Sequence, residues 1–206
     1  MFDSNFNFSN HVSQVIKSTR VHARDLYRIR PLLDLNTSVL LANALVSSRL
    51  DYCNSLFLSL SNFELRRLQL VQNSLCRVVT RSSKFSHITP QLKKLHWLPV
   101  RYRVQFKIGL ITYKILNQGQ PAYLRELIHP YTSSRNTRRS SPKLKFLQTP
   151  NFDRRIHKSI KHFSDSFCHY APVLWNSFPF HVRNSPSVPS FRKHLKTHLF
   201  RSSFPT

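Results

Sequence analysis

The sequence predicts a mainly α-helical protein: an irregular bundle of about seven helices, with a basic linker and a smaller C-terminal helical segment. Three observations predict it. Apolar residues recur at steps of three and four through most of the chain, which puts them on single helix faces. Strictly alternating segments, the mark of half-buried strands, are scarce. Helix-starting residues stand before several of the periodic runs, among them Ser9, the pair Ser61 and Glu64, and Ser187.

In chain order, Ser9 caps a helix to about Ile29. Val12, Val15, Ile16, Thr19, Ala23, Leu26 and Tyr27 share its apolar face, and Lys17, Arg24 and Arg28 lie opposite. Pro31 breaks it. A second helical segment, rich in Leu, Ala and Val, covers about residues 36–60. Within it Arg49 and Asp51 are too close in sequence to face each other on a helix. Ser61 and Glu64 fit a capping box for a helix to about Thr80. Leu65, Leu68, Leu75 and Val79 form its apolar face, which Gln72 interrupts, while Arg66, Asn73 and Arg77 lie on the far side. Arg81 to Lys84 is a basic loop, and Thr89-Pro90 starts a short helix leading to Leu95-His96-Trp97-Leu98-Pro99-Val100.

That stretch opens the central helix. Pro99 suits a first helical position, where its missing N–H costs nothing. Val100, Val104, Ile108, Ile111 and Ile115 then share a core face. Arg103, Lys107 and Lys114 form a cationic stripe beside it, and Tyr102, Phe106 and Tyr113 a third, aromatic face. Gly119 is the expected stop. Pro121 opens a short helix over residues 122–128. Composition shifts at Pro130 to Ser, Arg and Pro, with room for one short strand near Leu144 to Leu147. The expected division is a helical region over 1–129, a basic linker over 130–150 and a C-terminal helical segment over 151–206. In the last, residues 154–162 are expected to be helical, Ala171 begins a short helix that Pro179 limits, and Ser187 caps a final helix. Val188, Phe191, Leu195 and Leu199 share a face of that helix.

Charge narrows the function classes. The chain of 206 residues holds 32 Lys and Arg against 8 Asp and Glu, a formal net charge of +24. Residues 1–60 carry 6 basic and 4 acidic side chains; residues 61–206 carry 26 and 4. Self-repulsion on that scale is relieved by a polyanion, and nucleic acid is the usual one. No stretch is a clean basic amphipathic membrane anchor. With 2 glycines, neither a P-loop nor a dinucleotide fingerprint can be written. Cys53, Cys76 and Cys168 are odd in number and widely spaced, as expected of free thiols in a reducing compartment. The start Met-Phe-Asp-Ser-Asn lacks a basic n-region, so no secretory signal is expected.

Several motifs occur in a telling order: residues 45–57 (LVSSRLDYCNSLF), 67–81 (RLQLVQNSLCRVVTR), 87–117 (HITPQLKKLHWLPVRYRVQFKIGLITYKILN), 171–179 (APVLWNSFP) and 190–200 (SFRKHLKTHLF). Together they resemble the C-terminal, post-palm region of non-LTR (LINE-type, CR1/L2-like) retrotransposon reverse transcriptase polyproteins. The opening residues 2–8 (FDSNFNF) look like the segment just after the palm. The resemblance implies a polymerase-thumb-like helical region over 1–129, which holds primer–template. It also implies an intracellular ribonucleoprotein setting, nuclear or cytoplasmic. Two departures stand out: the palm with its catalytic aspartates lies outside this sequence, and Phe163 to Ser166 replace a Gly-Asp-Arg-like run. Both fit a decayed or truncated copy.

Polymerisation needs paired carboxylates to hold two metal ions, and no Asp-Asp pair occurs. We therefore expect no catalysis, no cofactor, no metal and no small-molecule substrate. His194 and His198, or His157, His162, Cys168 and His169, do not match the spacing of a tetrahedral zinc set. Trp97 and Trp175 could stack on bases, but aromatics at helical spacing are more often core. The expected partner is RNA or an RNA–DNA duplex, bound without sequence preference through Arg66, Arg77, Arg101, Arg103, Lys107, Lys114, Arg135, Arg138 and Arg139. Two alternatives stand beside it: a helical module that binds a protein partner, and a translated transposon relic without function.

Overall fold

The computed structural model describes residues 8–131, 145–149 and 167–205. The described residues are mainly α-helical, an irregular helical bundle as the sequence predicts, and no strand occurs among them. They fall into two compact units, one of Met1–Val104 with Phe200–Thr206 and the other of Gln105–Leu199. The boundary expected at Pro130 lies inside the second unit.

In the first unit, α1 (Ser9–Ile29) buries Val12, Ile16, Thr19, Ala23 and Leu26 and packs on α4 (Asn62–Thr80). Ser9 is not the cap. It sits in the first turn, and its hydroxyl donates to Glu64 Oε1 at 3.0 Å. Tyr27 is not in the core: it is 67% exposed. At 100° per residue it lies about 60° off the centre of the buried arc, beyond the reach of the neighbouring helix.

The single helix expected over 36–60 is broken. A 3-10 turn at Arg30–Leu32 precedes α2 (Leu35–Ala42), then come a π-helical turn at Asn43–Ser47, α3 (Ser48–Asp51) and a 3-10 turn at Asn54–Ser59. Asp34 caps α2, accepting from the Asn36 and Thr37 amides at 2.9 and 3.3 Å. The Ser38 hydroxyl shares the Asp34 carbonyl with its own amide, and the Ser48 hydroxyl donates to the Ala44 carbonyl.

Ser61 caps α4 by accepting from the Glu64 amide at 3.2 Å. The box does not close as expected, because the Glu64 carboxylate is turned to Ser9 and to Arg67 at 2.8 Å. The core side of α4 is Leu68, Val71, Gln72, Leu75, Cys76 and Val79, with Leu65 half-buried. Helix α4 and α5 (Ile88–Lys94) end in the same way. Arg81 (φ 52) and His96 (φ 53) take the left-handed position, and the next amides, Ser82 and Trp97, reach back to Arg77 and Leu92 at 3.1 and 3.0 Å. Glycine usually fills this position; here an arginine and a histidine fill it at a conformational cost of about 1–2 kcal/mol each.

Helix α6 (Val100–Gln118) begins one residue after the expected start, and the Pro99 carbonyl accepts the Tyr102 and Arg103 amides at 2.9 and 3.0 Å. The Gln72 side chain, wholly buried, explains its place on an apolar face: its Nε2 donates to the Leu98 carbonyl at 2.8 Å. Gln69 Oε1 accepts the Val100 amide at 2.9 Å, and Gln69 Nε2 donates to Gln72 Oε1 at 3.0 Å. Two glutamines of α4 thus fix the chain where it enters α6. The last residues close the unit, with the Phe200 ring 5.6 Å from His96 and 4.9 Å from Phe204.

The second unit holds the remainder of α6, α7 (Ala122–Arg125), α8 (Phe167–Ser177), α9 (Phe180–Arg183) and α10 (Val188–Ser203). Its core is aromatic. Phe191 stacks on Tyr113 at 4.2 Å and on Trp175 at 5.8 Å, with Phe178 edge-on to Trp175. Tyr113 is thus a core residue, not part of a separate aromatic face, and its hydroxyl donates to the Ser185 carbonyl at 2.8 Å. Ile111, placed in the core by periodicity, is half-buried. Gly109 admits close packing: a Cβ there would sit 3.0 Å from both Leu195 and Phe178. Gly119 (φ 68) ends α6 as expected, its amide bonded to the Ile115 carbonyl at 3.0 Å. The short strand expected in the linker reduces to one antiparallel bridge between Pro130 and Leu147. Asn176 holds that segment in both directions, accepting the Leu147 amide at 2.9 Å and donating to the Leu147 carbonyl at 2.8 Å. Helix α7 stops earlier than expected, α8 starts earlier and carries Pro172 inside it, and α9 was not foreseen. Ser187 caps α10, accepting the Ser190 amide at 3.3 Å. The helix expected over 154–162 lies outside the described residues.

Candidate nucleic-acid interface

The cations sort into those that hold the fold and those that face solvent. Arg30 is buried and donates to the Val79 carbonyl at 2.9 Å and to that of Leu33 at 2.6 Å. Burial, with the charge of Arg81 second, pulls its guanidinium below the ordinary arginine range. Arg81 donates to the Arg30 and Pro31 carbonyls. Arg30 thus serves a carbonyl in the last turn of α4, and Arg81 two carbonyls just past the end of α1. Arg67 joins Glu64 and Ser13 across α1 and α4. In the second unit Arg183 is buried, donates to the Phe178 carbonyl at 3.0 Å and lies 4.0 Å over the Phe146 ring. Burial lowers its pKa.

The sequence-predicted site residues divide along the same line. Arg66 is exposed on α4. Arg77, on the same face, is half-buried and leans on the Ser86 carbonyl at 3.4 Å. Arg101 donates to Asn62 Oδ1 while remaining exposed. Arg103 differs most from expectation. Its Nε and Nη2 meet the two oxygens of Asp51 at 2.8 and 2.5 Å, a bidentate pair between side chains that are 18% and 41% exposed. Its charge is neutralised inside the first unit. Lys107 and Lys114, in the α6 portion of the second unit, are exposed. Arg135, Arg138 and Arg139 lie outside the described residues.

Trp97 and Trp175 are core residues, not base platforms: Trp175 is 0% exposed and its Nε1 donates to the Lys145 carbonyl at 2.8 Å. The Cys76 thiol is buried, and burial pushes its pKa up to about 11, away from nucleophilic use. His194 Nδ1 lies 3.0 Å from Ser185 Oγ, and the His198 ring meets Phe178 edge-on. Burial first, and His181 second, lower the pKa of His198. Among the described residues no group of three His, Cys, Asp or Glu is placed to hold a metal, and no helix is long and apolar enough to cross a membrane.

Two sets of exposed cations were not chosen from sequence. Arg192, Lys193 and Lys196 lie on the outer face of α10, and Lys17, Arg20, Arg24 and Arg28 lie on the outer face of α1. The near-neutral total over residues 1–60 hid the second set. Two of the carboxylates in that total are used elsewhere, Asp34 as a helix cap and Asp51 on Arg103. Comparison with protein-family models, with curated proteins and with solved structures returns no match.

Proposed function

We propose that this chain binds nucleic acid through its phosphates, without sequence preference and without catalysing a reaction. One observation carries the reading. The described residues hold 24 Lys and Arg against 5 carboxylates, and four of those five are already engaged. Asp25 lies 3.9 Å from Arg28, Asp34 caps α2, Asp51 holds Arg103 and Glu64 holds Arg67. Among the described residues the cations outnumber the carboxylates nearly five to one, and relief of that surplus comes from outside. A polyanion with regularly spaced phosphates supplies it, and the gain is the release of condensed counterions.

The resemblance to the post-palm region of LINE-type reverse transcriptases supports the same reading. On it, the chain grips template or primer–template for a polymerase palm that it does not contain, in a nuclear or cytoplasmic ribonucleoprotein. The test is titration of labelled single-stranded RNA and of an RNA–DNA duplex at several salt concentrations. The expected result is similar affinity for unrelated sequences, with log K falling steeply and linearly with log salt. Weak binding that is insensitive to salt refutes the reading.

A further inference from the structure

We propose that the outer face of α1 is a binding track for single-stranded nucleic acid, with Lys17, Arg20, Arg24 and Arg28 on its phosphates and Tyr27 against a base. The inference rests on the reading that the chain binds nucleic acid, and adds the surface and the strand state.

The geometry follows from the helix. At 100° per residue the four cations fall within an arc of about 80°, and at 1.5 Å rise per residue they span about 17 Å. All four are exposed. The arc centred about 120° away, Val12, Ile16, Thr19, Ala23 and Leu26, is buried, and α1 packs on α4. The stripe is therefore carried on a rod whose other side is fixed. The adjoining carboxylate, Asp25, sits 3.9 Å from Arg28 with both side chains more than half exposed, so water and salt screen that pair.

Tyr27 decides the strand state. Periodicity assigns it to the core, yet its ring is 67% exposed. It follows Arg20 by seven residues, so the two lie about 20° apart in azimuth, side by side along the helix. A phenol ring standing in water beside a row of cations is the combination that single-strand binders use: charge tracks the backbone and the ring stacks on a base. A base inside a duplex offers no free face to such a ring. At about 3.4 Å per nucleotide of stacked strand, 17 Å corresponds to about five nucleotides, near the lower end of single-strand site sizes.

The experiment uses the full chain, a labelled 20-nucleotide RNA of mixed sequence and a 20-base-pair DNA duplex, titrated at several KCl concentrations. The variants are Lys17→Gln/Arg20→Gln/Arg24→Gln/Arg28→Gln together, Tyr27→Ala, Tyr27→Phe, and Lys107→Gln/Lys114→Gln as the comparison. Glutamine keeps helix propensity, and unchanged circular dichroism and melting establish that each variant is folded. The quadruple variant is expected to flatten the RNA salt slope by up to about 2.8 units, at about 0.7 per phosphate. Tyr27→Ala is expected to weaken RNA about tenfold while leaving the duplex unchanged, and Tyr27→Phe to restore it. If the folded quadruple variant binds RNA with the wild-type slope while the wild type binds well, the track is overturned and the broader reading stands. If the wild type binds no nucleic acid at low salt, both fall together. If the quadruple change abolishes binding to phosphatidylserine vesicles and leaves RNA untouched, the face is a membrane surface and the proposal is wrong.

Discussion

The Arg103–Asp51 pair makes opposite demands on stability and on binding. Its bidentate geometry, with the guanidinium 18% exposed and the carboxylate 41% exposed, gives two charge-assisted hydrogen bonds in a partly desolvated setting. Hydrogen bonds to charged groups contribute about 1.5–3 kcal/mol, and exposed ion pairs well under 1. Half-exposure of Asp51 lets water replace part of what is lost, so Arg103→Gln should cost about 1–2 kcal/mol. With a urea m-value of about 2 kcal/mol/M, that lowers the midpoint by about 0.5–1 M. Asp51→Asn should cost a similar amount, and the double variant clearly less than the sum, with a coupling of about 1 kcal/mol. Binding should respond differently. Arg103 is neutralised within the protein, so Arg103→Gln should leave the salt slope unchanged. Lys107→Gln/Lys114→Gln should flatten it by up to about 1.4 units on a single strand or about 1.8 on duplex DNA. The cycle is measured by urea unfolding and by anisotropy titration on the same four proteins. If Arg103→Gln alone removes about 0.7–0.9 of slope and leaves the urea midpoint in place, Arg103 works on a phosphate and the pairing argument is wrong.

Three further outcomes follow from the packing. Gln72→Leu leaves the buried Leu98 carbonyl without its donor, a cost of about 1–3 kcal/mol that new apolar contact only partly offsets; a melting temperature at or above wild type would count against the glutamine clamp. Gly109→Ala gains about 1 kcal/mol of helix propensity but drives a methyl group against buried Phe178 and Leu195, at a cost of about 1–3 kcal/mol; net destabilisation by thermal melting is expected, and a more stable variant would show a looser core. His198 has its pKa lowered by burial and by His181, so the unfolded chain binds the proton more readily. Its neutral form is fully favourable above the ordinary histidine value near 6.5, and stability is lost as pH falls through that value toward the folded one. The drop in melting temperature between pH 7.5 and 5.5 should shrink in His198→Gln, and an equal drop in both proteins would remove His198 from the account.

Periodicity carried the reading of α1, α4 and α10 because each has one broad partner side, so the apolar residues repeat with the helix. It failed at residues 36–60, where a π-helical turn at Asn43–Ser47 and the left-handed Cys53 (φ 50) interrupt the expected helix and leave short pieces. In α6 it placed Val104, Ile108 and Ile115 but misplaced Tyr113, which the Phe191 ring draws into the core of the second unit. Side-chain pairing across long separations left no local signal. Glu64 looked like the closing half of a capping box, but its partners are Ser9, 55 residues away, and the neighbouring Arg67. Arg103 looked like one of three equal cations until Asp51, 52 residues away, occupied it. The clear sequence signal for a site was the charge total; which cations hold the fold depends on contacts that only the folded chain makes.

That division has a consequence for the free protein. Cations engaged on carboxylates or carbonyls stabilise the fold, whereas the exposed surplus repels itself and destabilises it. Added salt shortens the screening length from about 30 Å at 0.01 M to about 8 Å at 0.15 M, which weakens repulsion between surface charges far more than the partly buried Arg103–Asp51 or Arg67–Glu64 contacts. The melting temperature of the free chain should therefore rise with KCl over that range. Saturating single-stranded RNA should raise it at low salt, because a ligand that binds the folded state stabilises it by mass action. That gain should fade as salt rises, since the same ions weaken the complex. The two curves converge only if the counter-charge for the exposed cations comes from the polyanion. Parallel curves, with the RNA-induced shift constant across salt, would mean that contacts other than phosphate pairing hold the nucleic acid.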